Sequence, residues 1–238
     1  GYVFGVFVGV QFLKKGYTLG RSIEQSKIVG FIFPIFAVVL LIFLIVKPAF
    51  ILFSEEGPGS MAAPVILSLV LGAVVGIVLQ RSRICTAGGF RDAILIKDYH
   101  FLWGLIGILV FNLIGNLVLN FGSFKISFEG QPIAHTNHIW NFLGMTLVGL
   151  CSVLLGGCPI RQTILASQGD GDAGVTVLGL IAGAAFSHNF GLASSGTGST
   201  TNGQIAVIIG IIAVLIIAYS VVAGAKNRSK AKEVVNNG

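Results

Sequence analysis

Residues 173–225, between Asp172 and Lys226, contain no formally charged side chain. An ordinary soluble domain carries about one charge in every four residues, so a run this long belongs in a medium other than water. The cluster Ser194-Ser195-Gly196-Thr197-Gly198-Ser199-Thr200-Thr201-Asn202-Gly203 divides it into two apolar spans, Ala173–Ala193 and Gln204–Ala225. Each matches the roughly 20 residues a helix needs to cross a bilayer.

The same pattern extends backwards along the chain. Ile28–Val46, Ala62–Leu79, Phe101–Phe121 and Ile139–Leu155 are apolar runs, and Gly1–Leu13 is a shorter one. At about 1.5 Å per residue those 13 residues reach roughly 20 Å, short of the hydrocarbon core. They read as the end of a helix that begins earlier, and the chain as the C-terminal portion of a longer protein. The expectation is an all-α, polytopic integral membrane protein, a single membrane domain over residues 1–238 with about seven spanning helices, the first truncated. With 54% hydrophobic and 10% charged residues, composition supports that class.

Placement of the cations tests the count. If the loops alternate sides, Lys14, Lys15, Arg21, Lys27, Arg81, Arg83, Arg91, Lys97, Arg161, Lys226, Arg228, Lys230 and Lys232 share one side, and only Lys47 and Lys125 take the other. That asymmetry follows the positive-inside rule. It puts the basic tail at residues 226–238 in the cytoplasm of a cell whose plasma membrane holds the chain. It also explains the net charge of +6 without nucleic acid. Three cysteines with no CxxC pair make no disulfide framework. His135 and His138 without a third ligand make no metal site, and no Walker motif provides for ATP. No cofactor and no enzymatic chemistry is indicated.

Two stretches carry chemistry. Gly156-Gly157-Cys158-Pro159-Ile160-Arg161-Gln162 and Cys85-Thr86-Ala87-Gly88-Gly89-Phe90-Arg91-Asp92 each follow an apolar run. Each cysteine falls nine residues after a glycine, Gly76 or Gly149, and the copies are offset by 73 residues. They form a weak internal repeat over 62–121 and 139–193, of a kind recurrent in transporters with interrupted helices. Cys158-Pro159 reads as an N-cap followed by proline at the first helical position. A short helix over Pro159–Ala166 would aim its free N–H groups at the cysteine sulfur, with Arg161 a turn away. In the first copy Gly88 and Gly89 allow close backbone approach, and Arg91 either forks onto an oxyanion or is neutralised by Asp92. Cys151, mid-span, reads as a packing residue. His188 and Asn189 lie inside an apolar span, where polar groups are functional candidates or interhelical hydrogen-bond partners. Gly1, Gly5 and Gly9 show the small-xxx-small spacing that lets membrane helices approach closely.

At Arg81–Asp92, Gln131–Gly144, Gly156–Gln162 and Ala182–Ser194 the chain resembles the YeeE/YedE family of bacterial inner-membrane proteins, which take up sulfur or selenium compounds. The likeness is greater to the selenium-metabolism branch than to the thiosulfate-importing one. The resemblance implies spanning and short re-entrant helices around a narrow path, where cysteines handle a selenium- or sulfur-containing small anion without stable covalent attachment. It assigns Cys85 and Cys158 to that path, with Arg91 and Arg161 beside them. It also implies the lipid bilayer and a small cytosolic sulfur-carrier protein as partners. The residues expected to meet substrate are thus Cys85, Gly88, Gly89, Arg91, Cys158, Pro159, Arg161, Gln162, His188 and Asn189. Competing readings are thiosulfate uptake specifically, a membrane thiol-disulfide oxidoreductase, and a structural subunit whose turns merely pack.

Overall fold

A computed structural model describes residues 1–20, 25–51, 63–119 and 135–236. Arg21, Lys125 and residues 131–134 of the second family stretch lie outside the described residues. Among those described, the elements are helices: α1 (Tyr2–Lys14), α2 (Lys27–Val46), α3 (Val65–Ser82), α4 (Thr86–Leu95), α5 (His100–Leu119), α6 (His138–Leu154), α7 (Pro159–Ser167), α8 (Gly171–Asn189) and α9 (Thr201–Asn236). The protein is an all-α polytopic membrane protein.

Among the described residues, five stretches are long and apolar enough to cross a membrane by length and composition: Ile28–Val46, Val65–Leu95, His100–Leu119, His138–Ser167 and Thr201–Asn227. α1 is shorter, and α8, which opens with Asp172 in its first turn, is not among the five. α3 and α5 bury no residue at all. A helix apolar on every side suits lipid or a neighbouring span, not water. Two sequence expectations shift at helix ends. α8 stops at Asn189, because the chain turns at Gly191 with φ +63°. α9 continues through the basic tail to Asn236, where alanine, lysine and arginine are strong helix formers.

The chain divides into two compact units. The first comprises Gly1–Arg21, Ile84–Pro159 and Gly179–Gly238, and its packing centres on α1 against α6. Gly5 admits no side chain, since a Cβ there would collide with the Thr146 carbonyl oxygen. Gly149 on α6 meets the Tyr2 carbonyl in the same way. A Cβ on Gly9 would lie 2.8 Å from that of Val153. Glycines therefore come from both partners, and the two backbones lie nearly in contact, as the spacing of Gly1, Gly5 and Gly9 predicts. This approach buries Val6, Val10 and Val153 around Cys85, Ala87 and Cys158. A second buried group joins Leu150 and Leu154 of α6 to Tyr17 and to Ala218 of α9.

The second unit comprises Ser22–Arg83 and Ile160–Leu178. Within it Ala166, Ala173 and Val177 are buried against Phe33 and Leu165. The Gly30 and Gly169 backbones also meet, with a Cβ on Gly30 placed 3.3 Å from the Gly169 carbonyl oxygen.

Candidate functional site

Each family cysteine stands immediately before a short helix, Cys85 before α4 and Cys158 before α7. Pro159 is the first residue of α7, the position where its missing N–H costs nothing. Gly156, with φ +79°, turns the chain out of α6, a conformation that suits glycine. Cys85 is the N-cap of α4, in extended conformation, and its sulfur accepts the Gly88 N–H at 3.4 Å. The same sulfur accepts the backbone N–H of Cys158 at 3.3 Å. The two thiols also interact side chain to side chain. Neither forms a disulfide, and their residues are buried, Cys158 to 2% exposure and Cys85 to 9%.

Helix-end chemistry of the kind expected at Cys158 is seen at Cys85. α4 presents its first-turn N–H to the Cys85 sulfur, and the Cys158 backbone adds a second donor. The dipole of α4 has its positive end at that sulfur. Gly88 packs directly on Cys85, where a Cβ would sit 3.3 Å from the cysteine Cβ. Gly89 faces α5, and a Cβ there would meet Leu105 Cδ1 at 2.8 Å. Glycine at 88 therefore fits the thiol turn, and glycine at 89 lets α4 lie against α5.

Three hydroxyls join the thiols, and sequence reasoning did not single them out. Tyr2 Oη and Thr86 Oγ1 lie 3.0 Å apart. Ser152 also hydrogen-bonds with the Tyr2 side chain, and its Oγ donates to the Val148 carbonyl at 2.8 Å. Thr86 was findable as the neighbour of Cys85, and Ser152 as a polar residue within an apolar run. Tyr2 offered only its place on the glycine-bearing helix, because contacts 84 residues apart leave no local pattern.

The remaining candidates divide. Arg91 turns to its neighbour, with Nε donating to Asp92 Oδ1 at 2.7 Å and Nη2 to Oδ2 at 3.2 Å. Its charge is neutralised within α4, one of the two states the sequence allowed. Arg161 and Gln162 lie in the first turn of α7, Gln162 buried and Arg161 half-buried. His188 and Asn189 are exposed in the last turn of α8, and Asn189 Nδ2 donates to the Ala185 carbonyl at 2.8 Å. The pair, expected inside an apolar span, stands at a helix end, where the turn at Gly191 lets the chain leave the helix.

An all-α membrane protein with two buried thiols at paired helix starts is the class this geometry defines. Residues 81–236 match the family described as sulphur transport. The match takes in both cysteine turns and most of the chain, and the protein belongs to that family. A thiosulfate transporter, TsuA, of Spirochaeta thermophila is 34% identical over 101 residues, covering 42% of this chain and 29% of the relative. The thiosulfate transporter TsuA of Escherichia coli is 28% identical over 109 residues, covering 46% of this chain and 30% of the relative. The alignments thus span less than a third of each curated relative. No solved structure matches. The YeeE/YedE resemblance holds at the level of the family, while the likeness to its selenium branch finds no counterpart in these matches.

Proposed function

We propose that the chain forms part of a membrane carrier for a small sulfur- or selenium-containing oxyanion, with thiosulfate the leading substrate. The observation that supports this most is the convergence of Cys85, the Cys158 N–H and the Gly88 N–H in one buried cluster. Family membership and two thiosulfate-transporting relatives support the substrate class.

Bringing a bare anion into a low-dielectric region is costly unless hydrogen-bond donors replace its water. This cluster offers thiol S–H groups, backbone N–H groups and the positive end of α4. An arriving thiosulfate exchanges its contacts with water for these, its soft terminal sulfur against the thiols and its oxygens against N–H and O–H donors. Tyr2 and Thr86 add hydroxyls beside this set, while the Ser152 proton is held by the Val148 carbonyl. Nothing is bonded covalently, so the substrate leaves unchanged. Arg161 and Gln162 are assigned to the anion's path on sequence grounds, as are Pro159, Arg91, His188 and Asn189.

On the cationic asymmetry, the thiol end faces the cytoplasm of a bacterial inner membrane, together with the C-terminus. A small sulfur-carrier protein receiving substrate there is part of the proposal through the family resemblance. Cells lacking other uptake routes, expressing the protein, should accumulate labelled thiosulfate and be competed by its excess. Uptake of labelled selenite without thiosulfate uptake would move the substrate to selenium, and uptake of neither would end the transport reading.

The thiol contact also favours a second reading, reversible disulfide formation between Cys85 and Cys158. Closing that bond releases two protons and two electrons, which a partner disulfide would take up to become two thiols. Thiol trapping that recovers the pair oxidised from cells would favour this chemistry, and recovery of free thiols would favour the carrier.

A further inference from the structure

At the opposite end of α6 from the thiols, a cavity of about 300 Å³ opens between the start of α6, the 190s loop and the start of α9. It lies within the first unit. α6 is 17 residues long, so at about 1.5 Å per residue roughly 26 Å separate its ends. The two places are therefore different sites. Trp140, Met145 and Leu192 give the cavity apolar walls, while His135, Ser199 and Gln204 give it polar ones. Among the described residues that line it, none is acidic.

The hydrogen bonds fix which way those polar groups act. His135 Nδ1 accepts the Asn137 backbone N–H at 3.3 Å. A neutral imidazole accepting at one nitrogen carries its proton on the other, so Nε2 is a donor. Ser199 Oγ accepts from Asn137 Nδ2 at 3.1 Å and from Gln204 Nε2 at 3.0 Å. Two acceptances use both lone pairs of a hydroxyl and leave its proton to be donated elsewhere. Thr200 caps α9 by accepting the Gly203 N–H at 3.0 Å while donating to the Gly191 carbonyl at 2.7 Å. Asn141 and Gln204 commit amide nitrogens to the His135 carbonyl and to Ser199 and keep their acceptor oxygens, so the donors left by this network are His135 Nε2 and the Ser199 hydroxyl.

A cavity with two uncommitted donors, no carboxylate among its described lining residues and a soft, sulfur-bearing wall fits an anion with hard oxygens and one polarizable end. We infer that this cavity is an entry site at which a small sulfur oxyanion is recognised before it reaches the thiols, with His135 and Ser199 as its donors. The inference rests on the carrier reading. The cationic asymmetry puts this end of α6 outside the cell, where an imported anion first arrives. Its size lies at the small end of ligand pockets, about 300–1,000 Å³, and partial openness suits a site that must release what it binds.

The test is the concentration dependence of labelled thiosulfate uptake by cells expressing the protein, compared at equal membrane levels. His135→Ala and Ser199→Ala should each raise the apparent KM about fivefold, the loss of one hydrogen bond, with a smaller change in Vmax. His135→Gln, which keeps a side-chain N–H, should recover part of the affinity. Gln204→Glu preserves shape but adds a negative charge, and it should raise KM about tenfold even if an alanine variant is lost from the membrane. Saturable wild-type uptake with unchanged KM in these variants would overturn the entry site and leave the thiol reading intact. A KM rise that His135→Gln does not relieve at all would equally overturn it, as structural damage. Absence of wild-type thiosulfate uptake would instead sink the carrier reading, and the entry site with it.

Discussion

The two cysteine turns begin from the same pattern and end with different roles. Cys85 is an acceptor: its sulfur takes N–H groups from Gly88 and from Cys158. Cys158 is a donor through its backbone, and its sulfur meets that of Cys85. The arginine of the first turn is held by Asp92, whereas the second turn has no acidic residue near Arg161 in sequence. The two turns thus supply different parts of one cluster.

The comparison depends first on the packing that brings the halves together. Gly5→Val puts a branched side chain where the Thr146 carbonyl lies and should separate α1 from α6. Overpacking costs about 1–3 kcal/mol and sometimes more, and here the obstacle is backbone, so the largest loss is expected. The check is protein accumulation in membranes and thermal unfolding in detergent. A normal transition would show that α1 does not support the thiol cluster.

The next effect separates the two halves. Cys85→Ala removes the acceptor of two buried N–H groups, and at the low end expected for sulfur should cost about 1–2 kcal/mol. Cys158→Ala keeps the donating backbone and should cost less. Equal destabilisation would mean that the roles are symmetric. Tyr2→Phe deletes the hydroxyl facing Thr86 and should cost about 1 kcal/mol. A stability unchanged within error would remove Tyr2 from the cluster.

The smallest expected effect concerns charge. Asp92→Asn frees the Arg91 guanidinium, whose side chain is 30% exposed beside an aspartate at 15%. Partly exposed ion pairs are worth less than about 1 kcal/mol, so the apparent KM for the anion should fall by about twofold. A rise would mean that Asp92, not the released arginine, serves the substrate.

Much of this architecture is visible in the sequence, because the bilayer imposes a strong rule on composition. The apolar runs, the helix starting at Pro159 and the glycine face of α1 follow from local patterns and carry over. What does not follow locally is less visible. Nothing at Cys158 says that its N–H reaches a sulfur 73 residues earlier, so the convergence of the two turns was not legible. Tyr2 and Thr86 meet through tertiary packing alone. The end of α8 was misplaced by four residues because Phe190, Leu192 and Ala193 continue the apolar composition after the backbone has turned at Gly191. Arg91 had two partners open to it in sequence, an anion or its neighbour, and only geometry shows the neighbour engaged.

The central claim is that the paired thiols handle the substrate. Its most direct test is initial-rate uptake of labelled thiosulfate by cells expressing wild type, Cys158→Ala or Cys151→Ala at equal membrane levels. The account predicts that Cys158→Ala falls to the background of untransformed cells while Cys151→Ala keeps wild-type uptake. Wild-type uptake by Cys158→Ala would contradict it.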